Sequence, residues 1–186
     1  MANTWFSADL HMGHKGVIAN CKRPFRDLDH MHEVLCLNWN EVVMPDDIVY
    51  LLGDVCWHHR YLQLFNYLNG TIHLLLGNHD HEKVMKASRW ESVRDLYRLK
   101  HNEWRLMLAH YPQESWNGRE RGSIHLHGHT HNNMSHKVQI LPRRYDVGVD
   151  CWSFYPVHID IILEKAKNDD YQIAVSHLQD EASANR

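Results

Sequence analysis

The sequence predicts an α/β fold in one domain, and three observations carry that reading. Apolar runs of strand length break off at glycine-containing turns. Stripes at helical spacing separate the first three of those runs. The length, 186 residues, is about one domain's worth at ~150 residues each.

Residues 5–10 are the first apolar run, and it breaks at His11-Met12-Gly13-His14. Residues 29–43 carry Met31, Val34, Leu35, Leu37, Trp39, Val42 and Val43 at mostly helical spacing, and Pro45-Asp46-Asp47 stops that helix. Residues 48–52 are continuously apolar, as in a strand buried on both faces, and end at Gly53-Asp54. Tyr61, Leu62, Leu64, Phe65 and Leu68 form a second helical stripe, closed by Asn69-Gly70. Residues 71–76 are a third strand, ending at Gly77-Asn78-His79-Asp80. The alternation β-α-β-α-β implies parallel strands joined by helical crossovers. Beyond it, residues 93–99 and 103–109 are expected to pair around Lys100-His101-Asn102. Further strands are expected at 123–127, 138–141, 145–149 and 173–175, with a late helix at 156–167. The domain is expected to span residues 1–178, with 179–186 a frayed tail.

Composition narrows the function classes. Apolar residues make up 44% and charged residues 23%, as in ordinary soluble domains. Twenty Lys and Arg against 23 Asp and Glu leave a net charge of −3, which argues against a nucleic-acid coat or a polybasic membrane binder. Cys21, Cys36, Cys56 and Cys151 form no CxxC pair and read as free thiols in a reducing cytosol. No signal peptide or run of ~18 apolar residues is apparent, so a cytoplasmic protein without a membrane span is expected. The unusual number is 18 His, and imidazole is the commonest metal ligand.

Metal-competent side chains recur where the apolar runs end: Asp9 and His11, Asp54, Asn78 and His79, His110, and His129 and His131. The carboxyl ends of strands in an open α/β sheet converge on one crevice, so residues distant in sequence can meet there. Residues two apart in extended chain point to one side, which lets Asp9/His11 and His129/His131 each present a pair. Carboxylate, imidazole and amide oxygen without thiolate suit manganese, iron, zinc or nickel. A set of this size exceeds one tetrahedral ion, and it suits two ions ~3.5–4 Å apart with a shared carboxylate.

Five blocks in this order, Asp9-Leu10-His11, Gly53-Asp54, Gly77-Asn78-His79-Asp80, His110 and Gly128-His129-Thr130-His131, resemble the calcineurin-like metallophosphoesterases. The resemblance extends over about residues 4–165 and includes flanking segments similar to a small bacterial and phage branch. It implies a four-layer α/β sandwich, two mixed β-sheets flanked by helices. By position, Asp9, His11 and His131 would hold one divalent ion and Asn78, His110 and His129 the other, with Asp54 bridging. A water shared by the ions would be the nucleophile, and manganese is the first expectation for the metal. His79 is similar to the family's histidine that contacts phosphate and protonates the leaving oxygen, and Asp80 would orient it.

The expected reaction is hydrolysis of a phosphate ester, a small or nucleotide phosphodiester ahead of a monoester or a nucleic-acid end. A non-catalytic scaffold of the same fold is the remote alternative, and no obligatory protein partner is expected. Arg23, beside Lys22, is a candidate phosphate contact through bidentate pairing. Trp116, near Arg119 and Arg121, is a candidate for stacking a substrate ring. His14 and His127 are read as supporting residues, and His30, His58, His59, His136 and His177 as solvated.

Overall fold

A computed structural model describes residues 2–133 and 141–169. Strand β1 (Thr4–Ser7) leads through helix α1 (Lys15–Asn20) to α2 (Leu28–Val42) and then β2 (Ile48–Leu51). A 3-10 helix (His59–Tyr67) precedes β3 (Thr71–Leu75), followed by α3 (Glu82–Met85) and β4 (Trp90–Arg94). The second half comprises β5 (Leu96–His101), β6 (Trp104–Ala109), β7 (Ile124–His127), β8 (Arg144–Asp146), β9 (Val157–His158) and α4 (Ile159–Asn168). The expected strand at 138–141 is described only at Leu141, outside any strand; 173–175, the tail, His136 and His177 lie outside the described residues.

The strands form two mixed sheets with flanking helices. In the first, ordered β4-β3-β2-β1-β9, strands β1 to β4 run parallel and β9 is antiparallel at the edge. In the second, ordered β5-β6-β7-β8, strands β6 to β8 are parallel and β5 is antiparallel. One expected strand divides: residues 93–99 turn at Asp95, so β4 completes the first sheet and β5 begins the second. Apolar character continues across that turn through Val93, Leu96 and Leu99, so periodicity alone joins the two strands. The second crossover is a 3-10 helix instead of an α-helix.

Alternation builds two cores from single strands. Val49 and Leu51 of β2 pack with Met31, Leu35 and Trp39 of α2, while Tyr50 and Leu52 face Leu106, Leu108, Ile124 and Leu126 of the second sheet. Asp27 caps α2 by accepting the His30 amide at 2.8 Å. Ile159, Ile162, Leu163 and Ala166 of α4 join the inner core. On the far face of the second sheet Trp116 packs with Met107 and Leu141, and its indole N–H donates to the Ser123 carbonyl at 3.1 Å. The expectation that Trp116 stacks a substrate ring is therefore corrected: the ring is buried and serves packing. Among the described residues no helix is long and apolar enough to cross a membrane.

Candidate metal centre

The carboxyl ends of β1, β2 and β3 from one sheet and of β6 and β7 from the other meet at one seam. Backbone bonds continue past the strands and set the turns: Asp9 N–H to the Gly53 carbonyl at 3.0 Å, His11 N–H to Asp54 at 2.9 Å, and Gly128 N–H to His110 at 3.0 Å. Asp9, His11, Asp54, His129 and His131 all have φ between 49° and 71°, the left-handed region that side-chain-bearing residues rarely adopt. Such strain persists where surrounding contacts over-determine it, and it concentrates at functional sites. Gly77 leaves room for the turn at Asp54, because a Cβ there would lie 2.3 Å from Asp54 Oδ1.

Two ligand groups result, Asp9/His11/His131 and Asp54/His110/His129, with the candidate atoms of each within 4.8 Å of one another. Asp54 lies between them: its Oδ2 is 3.5 Å from His11 Nε2 and 3.5 Å from His110 Nε2. Asn78 Oδ1 is 3.0 Å from His110 Nε2 and 3.1 Å from His129 Nδ1. His11 Nε2 and His131 Nε2 are 3.2 Å apart.

Outer contacts fix the tautomers. His131 Nδ1 is 2.8 Å from Asp150 Oδ2 and His110 Nδ1 is 2.7 Å from the Leu52 carbonyl, so each carries its proton there. Their Nε2 lone pairs then point inward, toward the Asp54 carboxylate, the Asn78 carbonyl and His11. Asp9 Oδ1 is buried with no hydrogen-bond partner. Acceptors facing acceptors repel, and divalent cations remove that repulsion, so this donor set fits metal ions. Burial, then His131 and Arg23, pushes His11 down to about 2, and burial with His110 lowers His129, which leaves both neutral as metal ligands must be. Burial, with Asp146 and Asp54 nearby, raises Asp9 well above the usual carboxylate range, a penalty that a bound cation reverses.

No family model matches the chain. It is 33% identical over 177 residues to the uncharacterized protein MJ1445 of Methanocaldococcus jannaschii, covering 90% of this chain and 94% of that protein. It is 30% identical over 186 residues to the gene 66 protein of Mycobacterium phage L5, covering 82% of this chain and 88% of the phage protein. The protein of unknown function AQ665 from Aquifex aeolicus has the same fold, with a TM-score of 0.71, 23% identity and coverage of 88% and 99%. The chain belongs to one family with MJ1445 and the phage gene 66 proteins.

The candidate metal centre has a supporting residue that the sequence reading passed over. Asp150 accepts from Arg23 Nε at 2.8 Å and Nη2 at 2.7 Å while holding His131. Arg23 also donates to the Asp9 carbonyl at 2.7 Å, and it is buried. Its expected role as a phosphate contact is corrected: the guanidinium is spent on a carboxylate and the backbone of the ligand loop. Burial raises Asp150, but hydrogen bonds from His131 and Arg23 outweigh burial and hold it below the usual range. The Gly148-Val149-Asp150 stretch was the available signal, a carboxylate just after a glycine turn at a strand end.

Asp80 also differs from expectation. Its Oδ2 accepts the Gly77 and Asp54 amides and its Oδ1 the Val55 amide, each at 2.9 Å. The carboxylate thus ties two ligand-bearing turns together, and among the described residues no contact joins it to the His79 ring. His79 donates its amide to Asp54 Oδ1 at 2.9 Å, and its Nε2 lies 4.0 Å from Asp54 Oδ2 with the side chain 38% exposed. His14 stacks on Trp57, and His127 Nδ1 lies 2.8 Å from the Gly128 carbonyl. Beside the ligands opens a cavity of about 890 Å³, lined in part by Lys22, Tyr111, His129, His131 and Asn132.

Proposed function

We propose that this chain is a single-domain, cytoplasmic, dinuclear metallophosphoesterase that hydrolyses phosphodiesters in preference to monoesters. The observation that carries the reading is Asp54, whose Oδ2 stands 3.5 Å from a histidine of each ligand group. Asp9, His11 and His131 would hold one cation, and Asn78, His110 and His129 the other, with Asp54 shared. Manganese is the first choice. When bound, such cations supply Lewis-acid charge for the phosphoryl oxygens and lower the pKa of water. His79 is the candidate to give a proton to the leaving oxygen: it is partly exposed, adjacent to Asp54, and not needed as a ligand. The diester preference follows from charge. A monoester dianion needs additional cationic contacts. With Arg23 withdrawn, Lys22 is the one lysine or arginine among the described residues that line the cavity. Four free thiols support a reducing compartment.

The test is elemental analysis together with turnover of an aryl diester and an aryl monoester. About two transition-metal ions per chain, activity abolished by a chelator, restoration by manganese and faster diester cleavage are expected. A single saturable site with full activity would remove the dinuclear reading. A kcat/KM favouring the monoester by more than about tenfold, ~1.4 kcal/mol, would make the protein a phosphomonoesterase. Asp54→Asn should retain the fold and lose most turnover.

A further inference from the structure

Exposed aromatic rings are scarce on this molecule. Among the described residues they are Trp57, Tyr67 and Tyr111, and two of the three stand against the metal-ligand cluster. Trp57 is 43% exposed and stacks on His14, with centroids 4.0 Å apart and planes 13° from parallel. It is also 5.1 Å from the His79 ring. Tyr111 is 50% exposed, 4.5 Å from the His129 ring and 5.1 Å from His110.

The two rings therefore border different halves of the site. His14 and His79 both neighbour His11 of the first ligand group, at 5.4 and 5.5 Å, whereas His110 and His129 belong to the second. An exposed indole forgoes the favourable burial that aromatic side chains gain in a core. Its stack on His14 holds it in place, so a ligand ring that meets it has less side-chain freedom to remove.

We propose that Trp57 and Tyr111 are specificity-determining residues that stack planar rings on opposite sides of the scissile phosphate. The substrate is then a dinucleotide-like phosphodiester with a ring on each side of phosphorus. The proposal rests on the phosphodiesterase reading above. Trp57 touches His79, the candidate proton donor, and so receives the leaving group. Tyr111 lines the 890 Å³ cavity with Lys22, Asn132 and Asn133, a volume and a polar lining suited to a retained nucleoside. In the reaction a water oxygen bonds to phosphorus and the phosphorus–oxygen bond to the leaving group breaks. The electron pair stays on the departing oxygen, which takes a proton from His79, and the water's proton returns to the histidine. The products are one monoester and one alcohol.

The test compares wild type, Trp57→Ala, Tyr111→Ala and the ring-preserving Trp57→Phe and Tyr111→Phe, each with metal content measured. Thymidine 5′-p-nitrophenyl phosphate carries a ring on both sides, and methyl p-nitrophenyl phosphate only on the leaving side. Base–aromatic stacking predicts that Tyr111→Ala loses roughly 5- to 100-fold in kcat/KM on the thymidine ester. Its loss on the methyl ester should be at least about fivefold smaller, while Trp57→Ala should lose on both. Each Phe variant should recover most of the loss. Calorimetric titration of thymidine 5′-phosphate and of inorganic phosphate gives a readout independent of turnover. Tyr111→Ala should weaken the nucleotide by the same factor and leave phosphate unchanged. Equal losses on both esters by Tyr111→Ala, or no loss by either Ala variant, overturn the stacking assignment. If the wild type cleaves no diester, the phosphodiesterase reading falls; nucleotide affinity indifferent to Tyr111 overturns its stacking role whether or not turnover is seen.

Discussion

His79 and Asp80 are adjacent in the chain, and the turn at the end of β3 sends their side chains to different tasks. His79 leans over Asp54 with its ring partly in solvent, free of the contacts that immobilise the ligand histidines. A proton donor to the leaving group should matter most where that group is basic. His79→Asn should therefore keep both metals and lose ~10²–10⁴-fold in kcat on an alkyl leaving group, with a much smaller loss on nitrophenolate. Equal losses on the two substrates would assign His79 to phosphate positioning. At this scale the two candidate ligand groups were legible in the sequence, because their metal-competent residues recur where apolar runs end. Arg23 was not. A guanidinium paired with Asp150, 127 positions away, looks in sequence the same as one awaiting phosphate.

The elements that position the centre are turns, and their conformation is costly. Five candidate ligands sit at positive φ, each at a cost of order 1–3 kcal/mol that the surroundings must offset. Asp80 supplies part of the offset by accepting three backbone amides from the turns after β2 and β3. Asp80→Ala leaves those donors unmet, at about 1–3 kcal/mol for a buried one. The variant should show a lower denaturant midpoint and weaker metal binding, with turnover loss the same for basic and acidic leaving groups. A loss that follows leaving-group basicity, as for His79, would instead restore the orienting role expected from sequence. Strand ends were readable here because glycine punctuates them. The division between β4 and β5 was not, since Asp95 interrupts a run whose apolar residues continue on both sides and which only the sheet assignment separates.

On the scale of the whole molecule, the first sheet contributes Asp9, His11, Asp54 and Asn78 and the second contributes His110, His129 and His131, so cations bound at the seam would join two halves. Fold class and the parallel run of the first three strands were legible because parallel strands buried on both faces leave continuous apolar runs. That two sheets form was not readable from periodicity, and it came from the resemblance. The seam also concentrates buried neutral histidines, which couple stability to acid. His125 is the clearest case away from the ligands. Its Nδ1 is 3.0 Å from the Met107 carbonyl, and its Nε2 accepts the Gln113 amide at 3.0 Å, as only the neutral ring can, with the Tyr111 carbonyl farther off at 3.2 Å. Burial pushes it down to about 4. Because the folded value lies below the unfolded ~6.5, the unfolded chain binds the proton first as pH falls, and stability declines between about 6.5 and 4. Urea midpoints measured in chelator, to exclude metal release, should fall from pH 7 to pH 4.5 more steeply in the wild type than in His125→Asn, although the variant is the less stable at pH 7. Parallel pH profiles for the two proteins would show that His125 does not carry this acid sensitivity.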